Sequence, residues 1–113
     1  MDRLLFDDAR LRLDVIVPGQ VTRKIRAYGS SLMMVEVFFE TGSEGAAHEH
    51  PHEQASYCLE GEFEFYIGDN SFRLSRGDSI VIPGGRRHGT KCLEKGRLLD
   101  AFSPPREDFL AHT

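Results

Sequence analysis

Cysteine is scarce in this sequence: Cys58 and Cys92 are the only two among 113 residues. Each sits inside a strand-like stretch, which excludes a disulfide frame as the main brace and reads as a pair of small buried thiols in a reducing compartment. Long hydrophobic runs are absent as well. No apolar stretch approaches the roughly 20 residues of a spanning helix, and the acidic opening MDRLLFDDARLRLD lacks the basic-then-apolar order of a signal peptide. A soluble, cytoplasmic protein away from the membrane is the expectation. Positive charge is in short supply: the formal net charge is -4, with acids and bases mixed along the chain, so the basic stripe that nucleic acid or an anionic membrane requires is missing. Internal repeats, low-complexity tracts and linkers are missing too. At 113 residues the chain has room for one domain, 1–113, burying roughly two-thirds of its unfolded surface around a single core.

What the sequence does have is a rhythm of short strands. LRLDVIV (11–17) alternates and stops at Pro18-Gly19, and LMMVEVFFE (32–40) is β-branched and aromatic before the turn-rich TGSEGAA. ASYCLEG, EFEFYI, SFRLS, SIVI, GTKCLE and RLLDAF follow, separated by Glu60-Gly61, Gly68-Asp69-Asn70, Arg76-Gly77-Asp78, Pro83-Gly84-Gly85 and Lys95-Gly96. The spacing predicts a series of hairpins in an all-β sandwich or small barrel of jelly-roll type. Helical turns are expected only at the ends, in the opening residues and in REDFLAHT after Pro104-Pro105.

The centre of the chain carries a candidate metal site. His48 and His50 are two apart, and on a strand such residues share a face, so both can converge on one ion. Two ligands alone prove little; their order in a longer pattern says more. Gly42-x5-His48-x-His50-x3-Gln54-x6-Gly61 is followed by Gly77-x5-Pro83-x-Gly85-x2-His88. In order and spacing these segments, 42–61 and 77–92, resemble the two motifs of the cupin family. The resemblance implies a small jelly-roll β-barrel holding one divalent transition metal on His48, His50, Gln54 and His88, with nickel, zinc, iron and manganese all compatible. Gln54 stands where the family usually has glutamate, and Cys92 where asparagine often closes the second motif; Cys92 reads as core packing. An amide oxygen brings no negative charge, so three neutral imidazoles and an amide leave the ion at full charge, which argues against dioxygenase chemistry. The alternative is a set of solvated loop histidines in a cupin without metal. His52 shares the parity of the two ligands but follows Pro51; it reads as a rim residue, unless it replaces Gln54 as the fourth ligand.

RLLDAFSPPRED places Asp100 and Phe102 on one face of a strand, with Arg106 just past a rigid Pro-Pro turn. Spacing alone leaves two arrangements open: all three ring a pocket, or Asp100 is exposed, Phe102 core and Arg106 solvated. A short single-domain cupin with three histidines, a glutamine for the glutamate and a closing Asp-x-Phe-x3-Arg (segment 100–106) resembles the KdgF family of pectin-degradation cupins. That resemblance implies linearisation of 4,5-unsaturated monouronates, small sugar acids from pectin or alginate, to 4-deoxy-5-keto-uronates. It gives the metal to His48, His50, Gln54 and His88, and catalysis to Asp100, Phe102 and Arg106. The chemistry suits these residue types. A Lewis acid would stabilise the enolised sugar acid, a carboxyl that takes and gives a proton serves C1 and C4, and a guanidinium fork grips the C6 carboxylate. Arg86 and Arg87 are weaker candidates for that grip, and Tyr57 and Tyr66 are candidate companions of Phe102. Other readings are a different metal-dependent cupin isomerase or dioxygenase, and a non-catalytic sugar-acid-binding module. A homodimer is expected, with LRLDVIV as a contributing edge strand.

Overall fold

Eight strands and one short helix make up the described residues, 12–110, of a computed structural model of the chain. The strands are β1 (Asp14–Val17), β2 (Val21–Tyr28), β3 (Met33–Phe39), β4 (Glu44–His48), β5 (Glu53–Ile67), β6 (Asn70–Ser75), β7 (Ser79–Ile82) and β8 (His88–Ser103); the helix α1 spans Glu107–Leu110. They form one antiparallel sheet in the order β1-β2-β3-β8-β5-β6, with β4 added to β8 and β7 to β5. The described residues are mostly strand, as the all-β expectation required, and among them the paired strands do not close into a ring. The helical turn expected after Pro104-Pro105 is α1, whereas the one expected in the opening residues lies outside the described residues. No helix among the described residues is long and apolar enough to cross a membrane.

Two of the expected hairpins do not exist. Glu60-Gly61 lies inside β5 and Lys95-Gly96 inside β8, which run as long partners from Glu53↔Ser103 to Ile67↔His88. The glycines mark a bulge where the two strands approach too closely for side chains. Gly61 has φ 88°, and a Cβ there would sit 2.5 Å from the Glu94 carbonyl oxygen, while a Cβ on Gly96 would collide with the Glu60 carbonyl. The register shifts between Cys58 and Phe63. As a result the buried positions of β5 switch from even (Gln54, Ser56, Cys58) to odd (Phe63, Phe65, Ile67), and both halves still face inward.

Two further strands depart from the sequence reading. β2, VTRKIRAY, is not anticipated because its outward charges hide the inward Val21, Ile25 and Tyr28, and a register shift between Ile25 and Ala27 breaks the alternation. β4 forms from the segment read as turn-rich, supported by pairing to β8 at Glu44↔Lys91, Gly45↔Thr90 and His48↔His88.

Inward residues build two adjoining clusters. One gathers Phe39, Phe63, Phe65, Ile82 and Leu98 around Cys58 and Cys92; the other packs Ile25, Tyr28, Met33 and Val35 against Phe102, with Phe109 and Leu110 of α1 on its edge. Fully burying Phe63 or Phe65 contributes on the order of 2 to 3 kcal/mol each. Both cysteines are buried free thiols, as expected, and burial raises their pKa. The second cluster sets the position of the site, because Phe102 belongs both to it and to the cavity beside it.

Candidate active site

Three histidines converge at the junction of β4, the loop after it and the start of β8. The His48↔His88 pairing brings two of them together, with ring centroids 4.5 Å apart. His50 arrives differently from the sequence expectation: β4 ends at His48, so His50 reaches the group from a loop and not by strand alternation. Its backbone carbonyl accepts a hydrogen bond from the Gly85 N–H at 2.8 Å. A Cβ on Gly84 would strike the Pro51 carbonyl, so the Pro83-Gly84-Gly85 turn clamps this loop only because glycine stands there. The His50 ring lies 4.8 Å from that of His88 and 5.2 Å from that of His48. One ligand atom from each of the three residues falls within 4.8 Å of the others.

Hydrogen bonds decide which ring nitrogen faces inward. The Nδ1 atoms of His48, His50 and His88 lie 2.8, 3.0 and 2.9 Å from the carbonyl oxygens of Ala46, His52 and Arg86. A carbonyl only accepts, so each Nδ1 carries the proton and each Nε2 keeps a bare lone pair. Burial lowers the pKa of His50 and His88, with the Arg106 charge adding to the effect, and this favours the neutral rings. The His88 Nε2 is buried with no hydrogen-bond partner. The His50 Nε2 faces the Gln54 Oε1 at 3.0 Å, one acceptor against another. An orphaned lone pair and two opposed acceptors are the arrangement that a cation relieves, so the residues fit a metal ion. His52 lies outside the convergent group, although its Nδ1 is also buried without a partner.

A cavity of about 410 Å³ opens beside the histidines, and the closing segment of the chain lines it. His48, Gln54, His88, Asp100, Phe102 and Arg106 all contribute to its wall. Gln54 sits on β5 opposite Phe102 of β8, and Ser56 opposite Asp100. The Gln54 Nε2 donates to the Ser56 Oγ at 3.0 Å, and the Ser56 hydroxyl donates to the Asp100 Oδ1 at 2.6 Å. Asp100 is 7% exposed, and burial raises its pKa to about 6 against the opposing Ser56 hydrogen bond and Arg106 charge. Such a carboxyl changes protonation state close to neutrality and can act as a base or an acid.

Arg106 lies with its guanidinium 4.3 Å from the Phe109 ring and 5.2 Å from the Phe102 ring. Its fork is closed on Asp108: Nε donates to Oδ1 at 3.1 Å and Nη2 to Oδ2 at 2.9 Å. Burial alone would raise the Asp108 pKa, but the hydrogen bond and charge of Arg106 hold it below the ordinary value. Arg23 of β2, stacked 3.7 Å over Phe109, supplies a second cation to the cavity wall.

The remaining candidates lie elsewhere. Tyr57 and Tyr66 are exposed on the outer face and do not line this cavity, which corrects their reading as companions of Phe102; the odd positions before the bulge and the even ones after it point outward. Arg86 and Arg87 are exposed and stand off its wall. Ser56, Asp108, Arg23 and Phe109 were not singled out from the sequence. Ser56 shares the face of Gln54 two residues on and was legible by that period; Asp108 and Phe109 fall in a tail with no strand pattern, and Arg23 in the strand that was missed.

Comparison with known proteins agrees with this fold. Residues 35–102 match the family model described as Cupin domain. The chain is similar to the pectin degradation protein KdgF of Dickeya dadantii (strain 3937), 40% identical over 92 residues that span 80% of this chain and 84% of that one. Among solved structures it resembles KdgF from a Halomonas species, with TM-score 0.81, 38% identity and 86% and 91% of the two chains covered. It also resembles an RmlC-like cupin from Shewanella frigidimarina NCIMB 400, with TM-score 0.82, 39% identity and 87% of each chain covered.

Proposed function

The chain belongs to the cupin family, in the group of the pectin degradation protein KdgF, and from that premise we propose that it linearises 4,5-unsaturated monouronates to 4-deoxy-5-keto-uronates. One observation carries the reading: a buried carboxyl with a pKa near 6 shares a single cavity with a guanidinium and with His48 and His88, two members of the three-histidine cluster. In this proposal His48, His50, Gln54 and His88 hold a divalent transition metal, and Asp100, Phe102 and Arg106 act on the sugar. When bound, the ion supplies Lewis acidity that lowers the cost of negative charge at the C5 oxygen.

The chain's own residues do the rest. Ionised Asp100 takes the proton of the C1 hydroxyl; the C1–O5 bond breaks, leaving an aldehyde at C1 and an enolate over C4, C5 and its oxygen. Asp100 then returns the proton to C4, which completes the 5-keto acid with no net change of atoms. A carboxyl titrating near 6 holds both forms at neutral pH, as a shuttle requires. Arg106 receives the C6 carboxylate in the planar fork now filled by Asp108. Phe102 walls the ring from the side of the hydrophobic core and limits water at the enolate.

The test follows the conjugated alkene. Adding unsaturated galacturonate or its alginate counterpart to metal-loaded protein should remove the ultraviolet absorbance of the C4=C5 bond faster than the spontaneous reaction does, and a chelator should abolish the difference. A loaded protein that leaves the absorbance decaying at the uncatalysed rate would refute the assignment.

A further inference from the structure

The hydrogen bonds between the histidines and Asp100 have a direction. Ionised Asp100 only accepts, so Ser56 spends its single proton on the Asp100 Oδ1, at 2.6 Å. The Ser56 oxygen can then only accept from Gln54. The amide must therefore turn its NH2 toward Ser56, at 3.0 Å, and its oxygen toward His50, at 3.0 Å. Ser56 has no exposed surface, and no other hydrogen bond ties its hydroxyl among the described residues. A glutamate at 54 would reverse this logic: it has no N–H to give, and one serine proton would lie between two carboxylates.

We propose that Ser56 is a positioning residue that decides which atom of Gln54 faces the histidine cluster, and that glutamine stands at 54 because the chain of donors must end on Asp100. The inference rests on the reading of the cluster as a metal cage and is independent of which sugar is turned over. Ser56 touches neither substrate nor metal; it acts through Gln54. Partners of metal ligands in other proteins alter affinity by about 10- to 100-fold when removed, and the same scale is expected here.

The experiment measures nickel and zinc affinity, by competition with a chelator, for the full chain and for Ser56→Ala and Ser56→Thr, with circular dichroism to follow folding. Ser56→Ala is expected to bind at least about 10-fold more weakly, and Ser56→Thr, which keeps the hydroxyl, to recover most of the loss. Parental affinity in Ser56→Ala, or equal losses in both variants, would overturn the proposal, the latter because it would make the role one of packing. The unmutated chain gives a reading that needs no variant to fold. Its Gln54 side-chain amide protons should be protected from exchange and bonded to Ser56 in nuclear magnetic resonance spectra with and without zinc, and free exchange would overturn the assignment. Metal-free Gln54→Glu should melt below the parent at pH 8; equal or greater stability would remove the explanation for the glutamine. A parent that binds neither ion would fell the cage itself, an outcome distinct from an intact cage indifferent to Ser56.

Discussion

Replacing Asp100 by asparagine should make the metal-free protein more stable and less active. The carboxyl is 7% exposed and carries one short hydrogen bond, and burial lifts its pKa from 3.8 to about 6. Between those values the folded chain binds the proton and the unfolded chain does not, so stability falls as pH rises through the interval. Above it the full cost of ionising the buried group applies, about 3 kcal/mol. Asparagine has the same shape, still accepts from Ser56 and never ionises. The Asp100 Oδ2 is not among the sealed, unpartnered atoms, so an amide NH2 placed there can meet water in the cavity. Urea unfolding of metal-free protein should show Asp100→Asn up to about 3 kcal/mol more stable at pH 8, with the advantage gone by pH 4. Turnover by the loaded variant should drop by two orders of magnitude or more, on the scale of a lost general acid-base, about 10²- to 10⁴-fold. A variant no more stable than the parent at pH 8, or one whose difference is the same at both pH values, would refute the argument that burial sets the protonation of this group.

Three further outcomes are expected. Arg106→Lys keeps the charge but loses the two-pronged geometry, so the apparent KM for unsaturated monouronate should rise about tenfold with kcat little changed; an unchanged KM would count against the carboxylate grip. His88→Ala removes a buried member of the proposed cage, and elemental analysis of the purified variant should find well under one metal per chain, whereas parental metal content would exclude His88 from the cage. Gly96→Ala forces a methyl group against the Glu60 carbonyl, and unfolding in urea should show a loss of at least about 3 kcal/mol or no cooperative transition. Stability within about 0.5 kcal/mol of the parent would show that β5 and β8 separate easily at their bulge.

Much of the site was legible because its signals are local and carried by side-chain type. Three histidines, a glutamine and the closing Asp-x-Phe-x3-Arg stood out by their resemblance to known motifs, where spacing alone left the placement of the closing residues open; all but His50 line the cavity, and His50 joins His48 and His88 beside it. The β-branched and aromatic stretch of β3 and the outer limits of β5 and β8 also followed from the pattern. The two false hairpins arose because a glycine looks the same in sequence whether it ends a strand or bends one; only the close approach of the Glu60 and Glu94 carbonyls separates the cases. β2 escaped because charges interrupt its apolar face: Arg23 pairs with Asp14 and Arg26 with Glu36 on the neighbouring strands, a compensation invisible along the chain. The lock between Arg106 and Asp108 required the three-dimensional course of the tail.

The bulge at Gly61 acts on β5 as a phase shift. Before it, Gln54 and Ser56 face the candidate site; after it, Phe63, Phe65 and Ile67 face the core, and one odd residue lets both sets look inward. Lengthening this short stretch by a single residue would therefore invert one set relative to the other and trade aromatic packing for exposed rings, whereas adding two would restore the facing. The Gly68-Asp69-Asn70 tip, with no such counting to obey, is where this strand pair should accept extra length of any number.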